Sequence, residues 1–384
     1  HGPHHVAAEW ADKYKGKFDD GWDAYRERVF ARQLEMGIIP AGTELTERDE
    51  TMQAWDEIPE EQRPFQQRLM EVFAGFVEHT DTQVLKLVEG LEERGLRENT
   101  IVMYVWGDNG SSSEGVRGTI SELLAQNQLD APYEQQIAAL NDLGGLEALG
   151  SPEVDNMYHA GWAWAGGTPF KGTKLVASYF GGTRNPLVIS WPKKITPSDQ
   201  IRSQFHHVVD IVPTIYDILD ITPPKVVDGH EQSPCDGVSM AYTFDNAETP
   251  TTNTEQFFDN FASRGIYSHG WMACTIGPTL PWDPANNPQR IKAWDSVSDR
   301  WELYDLRKDW TQSEDVAAKY PEKLKEMQAI FWKEAEKYQV LPLDATVATR
   351  LIAPRPSITA GRNVFTWTAP LTGTPNGDAP SVLN

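Results

Sequence analysis

Cysteine is almost absent from this chain, with Cys235 and Cys274 as its only two, so no disulfide framework is implied and at most one bridge could form. Positive charge is scarce as well: Lys and Arg total 34 against 56 Asp and Glu, a net charge of -22. Such a surface repels nucleic acid and anionic membrane. Long hydrophobic runs are missing; the longest, Ile101 to Trp106, has the length of one strand and falls far short of the roughly 20 residues a membrane-spanning helix needs. No internal repeat or low-complexity tract is present. What remains is a globular composition, 384 residues with 40% apolar side chains, enough for one large domain or two. An anionic ligand would have to be held by a local cationic or metal-lined pocket, against the overall field.

The first 60 residues mix aromatics with charge and read as short helices and loops on a surface. From Gln62 to Arg94, Leu69, Val72, Phe73, Phe76, Val77, Thr80, Val84, Leu87 and Leu91 recur at three- and four-residue steps, which predicts a long amphipathic helix ending near Gly95. Ile101 to Trp106 is apolar without alternation, as expected of a strand covered on both faces in a parallel α/β sheet. The segment Ser111 to Gly167 is polar, Gly-rich and irregular, the best candidate for the rim of a site. Pro186 to Trp191 reads as a second buried strand, and Asp210 to Leu219 as a helix with Asp210 at its N-cap and Pro213 in its first turn. After Pro223 the character shifts to short strands such as Trp301 to Tyr304 and a helix from Pro321 to Tyr338. The class is therefore α/β, with residues 223–345 expected to form a smaller α+β subdomain. His1 opens the chain without an initiator Met, and a strand begins at Val364 shortly before its end, so the chain reads as truncated at both ends.

Three groups of residues carry potential chemistry. Asp108-Asn109-Gly110 follows the first buried strand at its carboxyl end, where open α/β sheets place ligands, and two adjacent oxygen-bearing side chains there suit a hard cation such as Ca²⁺ or Mg²⁺; the same tripeptide is also an ordinary turn. His1-Gly2-Pro3-His4-His5 puts three imidazoles in one short loop, able to contact an anion or move a proton. Lys171 and Lys174, followed by Gly181-Gly182-Thr183-Arg184, could hold an oxyanion between ammonium and unhindered backbone amides.

These pieces occur in a fixed order. Together with Trp10 to Lys17, Gly21-Trp22-Asp23, Phe30-Ala31-Arg32-Gln33, Glu78-His79-Thr80-Asp81, Gly161 to Ala165, His206 to Thr214 and Glu302 to Leu306, the chain resembles the bacterial type I arylsulfatases of the alkaline phosphatase superfamily over nearly its whole length. The resemblance implies an alkaline-phosphatase-like α/β sheet, with residues 1–222 as the C-terminal portion of the catalytic domain and residues 346–384 as a linker into a β-rich region of larger members, and hydrolysis of small-molecule sulfate esters. It implies Asp108 and Asn109 as half of a Ca²⁺ site (Mg²⁺ as the substitute), with Asp108 also near the nucleophile. His1 corresponds to a histidine that contacts sulfate and can protonate the leaving alcohol, and Lys174 to the sulfate-binding lysine, with Lys171 as its rival. Gly107 stands where the family more often has serine. The family's nucleophile is a formylglycine made from a Cys/Ser-x-Pro-x-Arg motif; neither Cys235 nor Cys274 lies in one, and the attacking group is expected in a region outside this chain. A phosphodiesterase or phosphonate monoester hydrolase of the same superfamily, or a non-catalytic oxyanion-binding protein, are the alternatives.

Overall fold

The computed structural model describes residues 2–127, 129, 131–196 and 200–346, and the backbone of residues 365–367 and 381–383. One compact unit spans His1–Ala345 and a second Thr346–Asn384. The second contains a two-stranded antiparallel ladder, Phe365–Trp367 with Ser381–Leu383.

Within the first unit the predicted long helix runs over Arg63–Glu93. Its apolar stripe is buried where the periodicity is cleanest, with Phe65, Leu69 and Val72 sealed from solvent. It ends as the sequence indicates: Leu96 N–H donates to Leu91 O and Gly95 N–H to Glu92 O, and Gly95 takes a φ of 65°, the paired bonds that close a helix with a left-handed glycine. The helix packs against the short helices Ala8–Ala11 and Asp12–Tyr14.

The first 60 residues are not a surface layer. A helix at Gly21–Glu35 carries Trp22 and Arg26 into the interior, where Trp22 stacks on His159 at 4.4 Å and meets Trp55 and Trp162 edge-on at 4.9 and 5.6 Å. Charged residues on its outer face conceal this inner stripe from a reading by composition. Likewise, Ser111 to Gly167 is more ordered than its polarity suggests: Arg117–Thr119 pairs with Met157–His159, and the helix Ala160–Gly166 is buried from Ala160 to Ala165.

Val102–Val105 and Leu187–Ser190 form strands as expected, but the ladder between them is antiparallel. Among the described residues it has only these two strands, and neither face is sealed: Val105 and its partner Leu187 are exposed on one face and Val188 on the other. An unalternating run identifies a strand without giving the direction of its neighbour. The helix at Ile211–Ile218 is present with Pro213 in its first turn; Asp210 caps differently from expectation, its carboxylate accepting from His207 N–H and Val238 N–H at 2.9 Å each.

The later part is a four-stranded antiparallel meander, Glu255–Asn260, Ser263–Ser268, Trp271–Thr275 and Glu302–Asp305. Alternate side chains divide between two layers. Tyr267, Met272, Cys274 and Tyr304 join the main core, while Ile266, Ala273 and Leu303 pack under Met327, Phe331 and Ala335 of the helix Pro321–Lys337. Both cysteines are free, Cys274 buried and Cys235 exposed.

Candidate active site

The loop Gly107–Gly110 leaves the end of the Val102–Val105 strand and meets the chain again at Gly181-Gly182. Gly110 N–H donates to Gly182 O at 2.9 Å, and a Cβ on Gly110 would lie 1.8 Å from Gly181 O. The next residues continue the seam: Lys174 N–H donates to Ser111 O at 3.0 Å, and the buried hydroxyls of Ser113 and Thr173 share a bond of 2.8 Å. The two loops singled out from the sequence are therefore stitched together by backbone and buried hydroxyls.

The glycine pair has a different role from the one its sequence suggested. Gly181 N–H donates to Lys171 O and Gly182 N–H to Tyr179 O, so these amides are committed. A Cβ on Gly181 would fall 2.3 Å from Gly172 O, and one on Gly182 2.1 Å from Val176 O. The glycines allow backbones to pack without side chains between them.

The structure separates the two lysines. Lys174 Nζ lies 2.6 Å from Glu114 Oε2, and the same oxygen accepts from Ser112 Oγ at 2.8 Å. Burial, with the Glu114 charge second, raises the pKa of the Glu122 carboxyl, which also feels the charges of Lys174 and Asp155. Lys171 turns to the meander instead. Its Nζ donates to Tyr304 Oη at 2.8 Å, and lies 4.3 and 4.9 Å from the Tyr179 and Tyr304 ring centroids. Both phenols donate to Glu302 Oε2, at 2.9 and 2.6 Å, and burial pushes both phenol pKa values far up. Neither lysine is the freely solvated side chain that a loop position suggests. Lys171 also borders a cavity of about 450 Å³ with Arg48, Asp49, Trp164 and Trp282.

The lysine loop is anchored from three further directions. Phe180 N–H donates to Gln312 Oε1 at 2.8 Å and Ser178 N–H to Ser263 Oγ at 3.1 Å. Ahead of the loop, buried Arg26 donates to Thr46 and to the carbonyls of Trp164, Pro169 and Phe170, and its guanidinium lies 4.1 Å from the Trp164 ring. No local sequence motif marks Arg26. Glu114 had a signal, as the first acidic residue after Asp-Asn-Gly, but its partner Lys174 lies 60 positions on.

Of the N-terminal histidines, His1 lies outside the described residues. His4 is fully buried, its ring 4.8 Å from those of Phe73 and Tyr158, and burial pushes its pKa down to about 3. His5 Nε2 lies 2.8 Å from Val154 O. Asp108 is exposed, and Asn109 Nδ2 donates to Gly110 O at 2.9 Å. Among the described residues no three His, Cys, Asp or Glu side chains gather as a metal-binding group. Two adjacent oxygens do not fit the six to eight that Ca²⁺ takes, so this chain's described residues do not by themselves form the cation site.

A family model described as Sulfatase matches residues 1–221. The chain belongs to the sulfatase family. This sulfatase chain is 27% identical over 244 residues to an arylsulfatase of Klebsiella aerogenes, covering 63% of this chain and 48% of that protein. It is 26% identical over 334 residues to an uncharacterized sulfatase of Schizosaccharomyces pombe, covering 85% of this chain and 54% of that one. The chain thus spans about half the length of these curated relatives. Among solved structures, a protein in complex with its substrate D-glucosamine-2-N,6-O-disulfate is 18% identical with a TM-score of 0.43, over 75% of this chain and 44% of that one. A phosphonate monoester hydrolase of Agrobacterium radiobacter is 16% identical with a TM-score of 0.36, over 84% and 46%. No helix among the described residues is long and apolar enough to cross a membrane.

Proposed function

We propose that this chain supplies the sulfate-holding part of an arylsulfatase-like enzyme that hydrolyses sulfate monoesters. The observation that carries the reading is the seam of Gly110 to Ser113 against Thr173 to Gly182, which sets the Lys174 backbone against Ser111, directly after the Asp-Asn-Gly tripeptide. In a sulfate monoester, negative charge sits on the peripheral oxygens and builds on the bridging oxygen as the alcohol departs. An ammonium held in advance stabilises the first, and a proton donor serves the second. Lys174 takes the first role and His1 the second. Asp108 and Asn109 contribute two oxygens to a Ca²⁺ or Mg²⁺ site whose other ligands do not gather among the described residues, and the formylglycine nucleophile would come from outside this chain. In this reading residues 1–222 are the C-terminal portion of the catalytic α/β domain, residues 223–345 a smaller α+β subdomain and residues 346–384 a linker.

The test is kinetic in the whole enzyme and chemical in this chain. Lys174→Ala should lower kcat/KM for an aryl sulfate by roughly a hundredfold, as loss of one preorganised donor does, and the 384-residue chain alone should show no enzymatic turnover. Ordinary turnover by the chain alone, or an unimpaired Lys174→Ala enzyme, overturns the reading.

A further inference from the structure

Resting on the assignment of Lys174 to the sulfate, we propose that Glu114 makes this site selective for singly charged sulfate esters over doubly charged oxyanions, including free sulfate.

Lys174 is not an open cation waiting for an anion. Its ammonium is engaged at 2.6 Å by Glu114, with side-chain exposures of only 15% for Lys174 and 23% for Glu114. The carboxylate is itself held, because Ser112, a buried residue, donates to the same oxygen at 2.8 Å. It lies on the loop whose backbone and hydroxyls are sewn to the lysine segment, so its backbone stays next to Lys174 when a ligand arrives. An oxyanion that reaches Lys174 must approach a fixed negative charge.

The electrostatic consequence depends on ligand charge. A sulfate monoester carries one negative charge and inorganic sulfate two, so at equal distance the repulsion from Glu114 is twice as large for the dianion. Attraction to Lys174 doubles as well, but a Lys–Glu pair is nearly neutral as a unit, and the chain's net charge of -22 adds a further penalty that grows with ligand charge. Glu114 thereby cancels the advantage that a bare ammonium would give to the product over the substrate. The same logic disfavours phosphate monoesters in their dianionic form.

The test measures binding of inorganic sulfate and methyl sulfate to the full chain by calorimetry or ligand-observed NMR, in wild type, Glu114→Gln and Glu114→Ala. Glu114→Gln keeps shape and hydrogen-bonding capacity while removing charge. It should tighten sulfate by about tenfold and methyl sulfate by only about threefold, since doubling the interaction energy squares the factor. Glu114→Ala should show the same order with a different absolute gain. Equal gains for both anions, no gain, or no sulfate binding by either variant overturns the proposal, since a residue with a purely structural role does not sort ligands by charge. A double variant, Glu114→Gln with Lys174→Ala, separates this failure from that of the underlying assignment. If the gain in sulfate affinity survives loss of Lys174, the anion sits elsewhere and it is the assignment of Lys174 that is wrong.

Discussion

Lys171 donates to the hydroxyl of Tyr304 at 2.8 Å across 133 residues of sequence, and this bond gives the lysine a structural role. Removing the ammonium leaves two buried phenols around the Glu302 carboxylate with no cation among them. Lys171→Ala should lower stability by about 2 kcal/mol through lost cation–π and hydrogen-bond energy, measured by denaturant unfolding. Lys174, paired on a loop, should cost less on the same scale. The reverse order would show that the tyrosine cluster does not depend on its cation.

Acid sensitivity should begin near neutrality. His4 and His159 are buried, and burial lowers each from 6.5 to about 3. Between those values the unfolded chain holds protons that the folded chain rejects, so stability is full above about pH 6.5 and falls as pH drops towards 3, by up to about 1.4 kcal/mol per pH unit for each histidine. His4 has no hydrogen-bond partner for either ring nitrogen among the described residues. His4→Phe should keep the aromatic packing and flatten its share of the slope. Melts at pH 7 and pH 5 provide the check, and an unchanged slope in the variant would refute the assignment.

Gly110→Ala should be among the most damaging single-methyl additions in the chain. The new carbon would lie 1.8 Å from a backbone oxygen, which no rotamer change relieves. A loss of about 3 kcal/mol or more is expected from such overpacking. A near-wild-type melting temperature would mean that the seam can part without cost.

Calcium should bind the chain weakly. Asp108 and Asn109 supply too few oxygens for a hard cation, and calorimetry should find no tight site. A submicromolar Kd lost in Asp108→Ala would reveal further ligands that the described residues do not bring together.

The sequence made some of this legible and not the rest, for physical reasons. The helix Arg63–Glu93 could be read because its periodicity and its terminal glycine are local properties. The strands at Val102 and Leu187 could be read from composition, but not their antiparallel pairing, because a continuous apolar run carries no directional mark. Trp22 and Arg26 looked superficial because charged residues are scattered along their helix, although one stripe faces inward. Gly181-Gly182 was recognisable as special, yet the reason is close backbone packing rather than free amides. The Lys174–Glu114 pair is set by tertiary structure across 60 residues. Lys174 was singled out from the sequence; Glu114 was not, and nothing local marks their meeting.

The anchoring of the lysine loop also bears on the order of folding. The bonds from Lys171 to Tyr304, from Phe180 to Gln312 and from Ser178 to Ser263 close loops of 133, 132 and 85 residues, and contacts of such separation form late because chain entropy is lost before they reward it. The long helix can form from local contacts, whereas the lysine loop has no complete scaffold until the distant meander has docked. During synthesis, a chain ending before Ser263 would carry every proposed site residue and still lack all three of these long-range bonds to the segment Lys171 to Gly182.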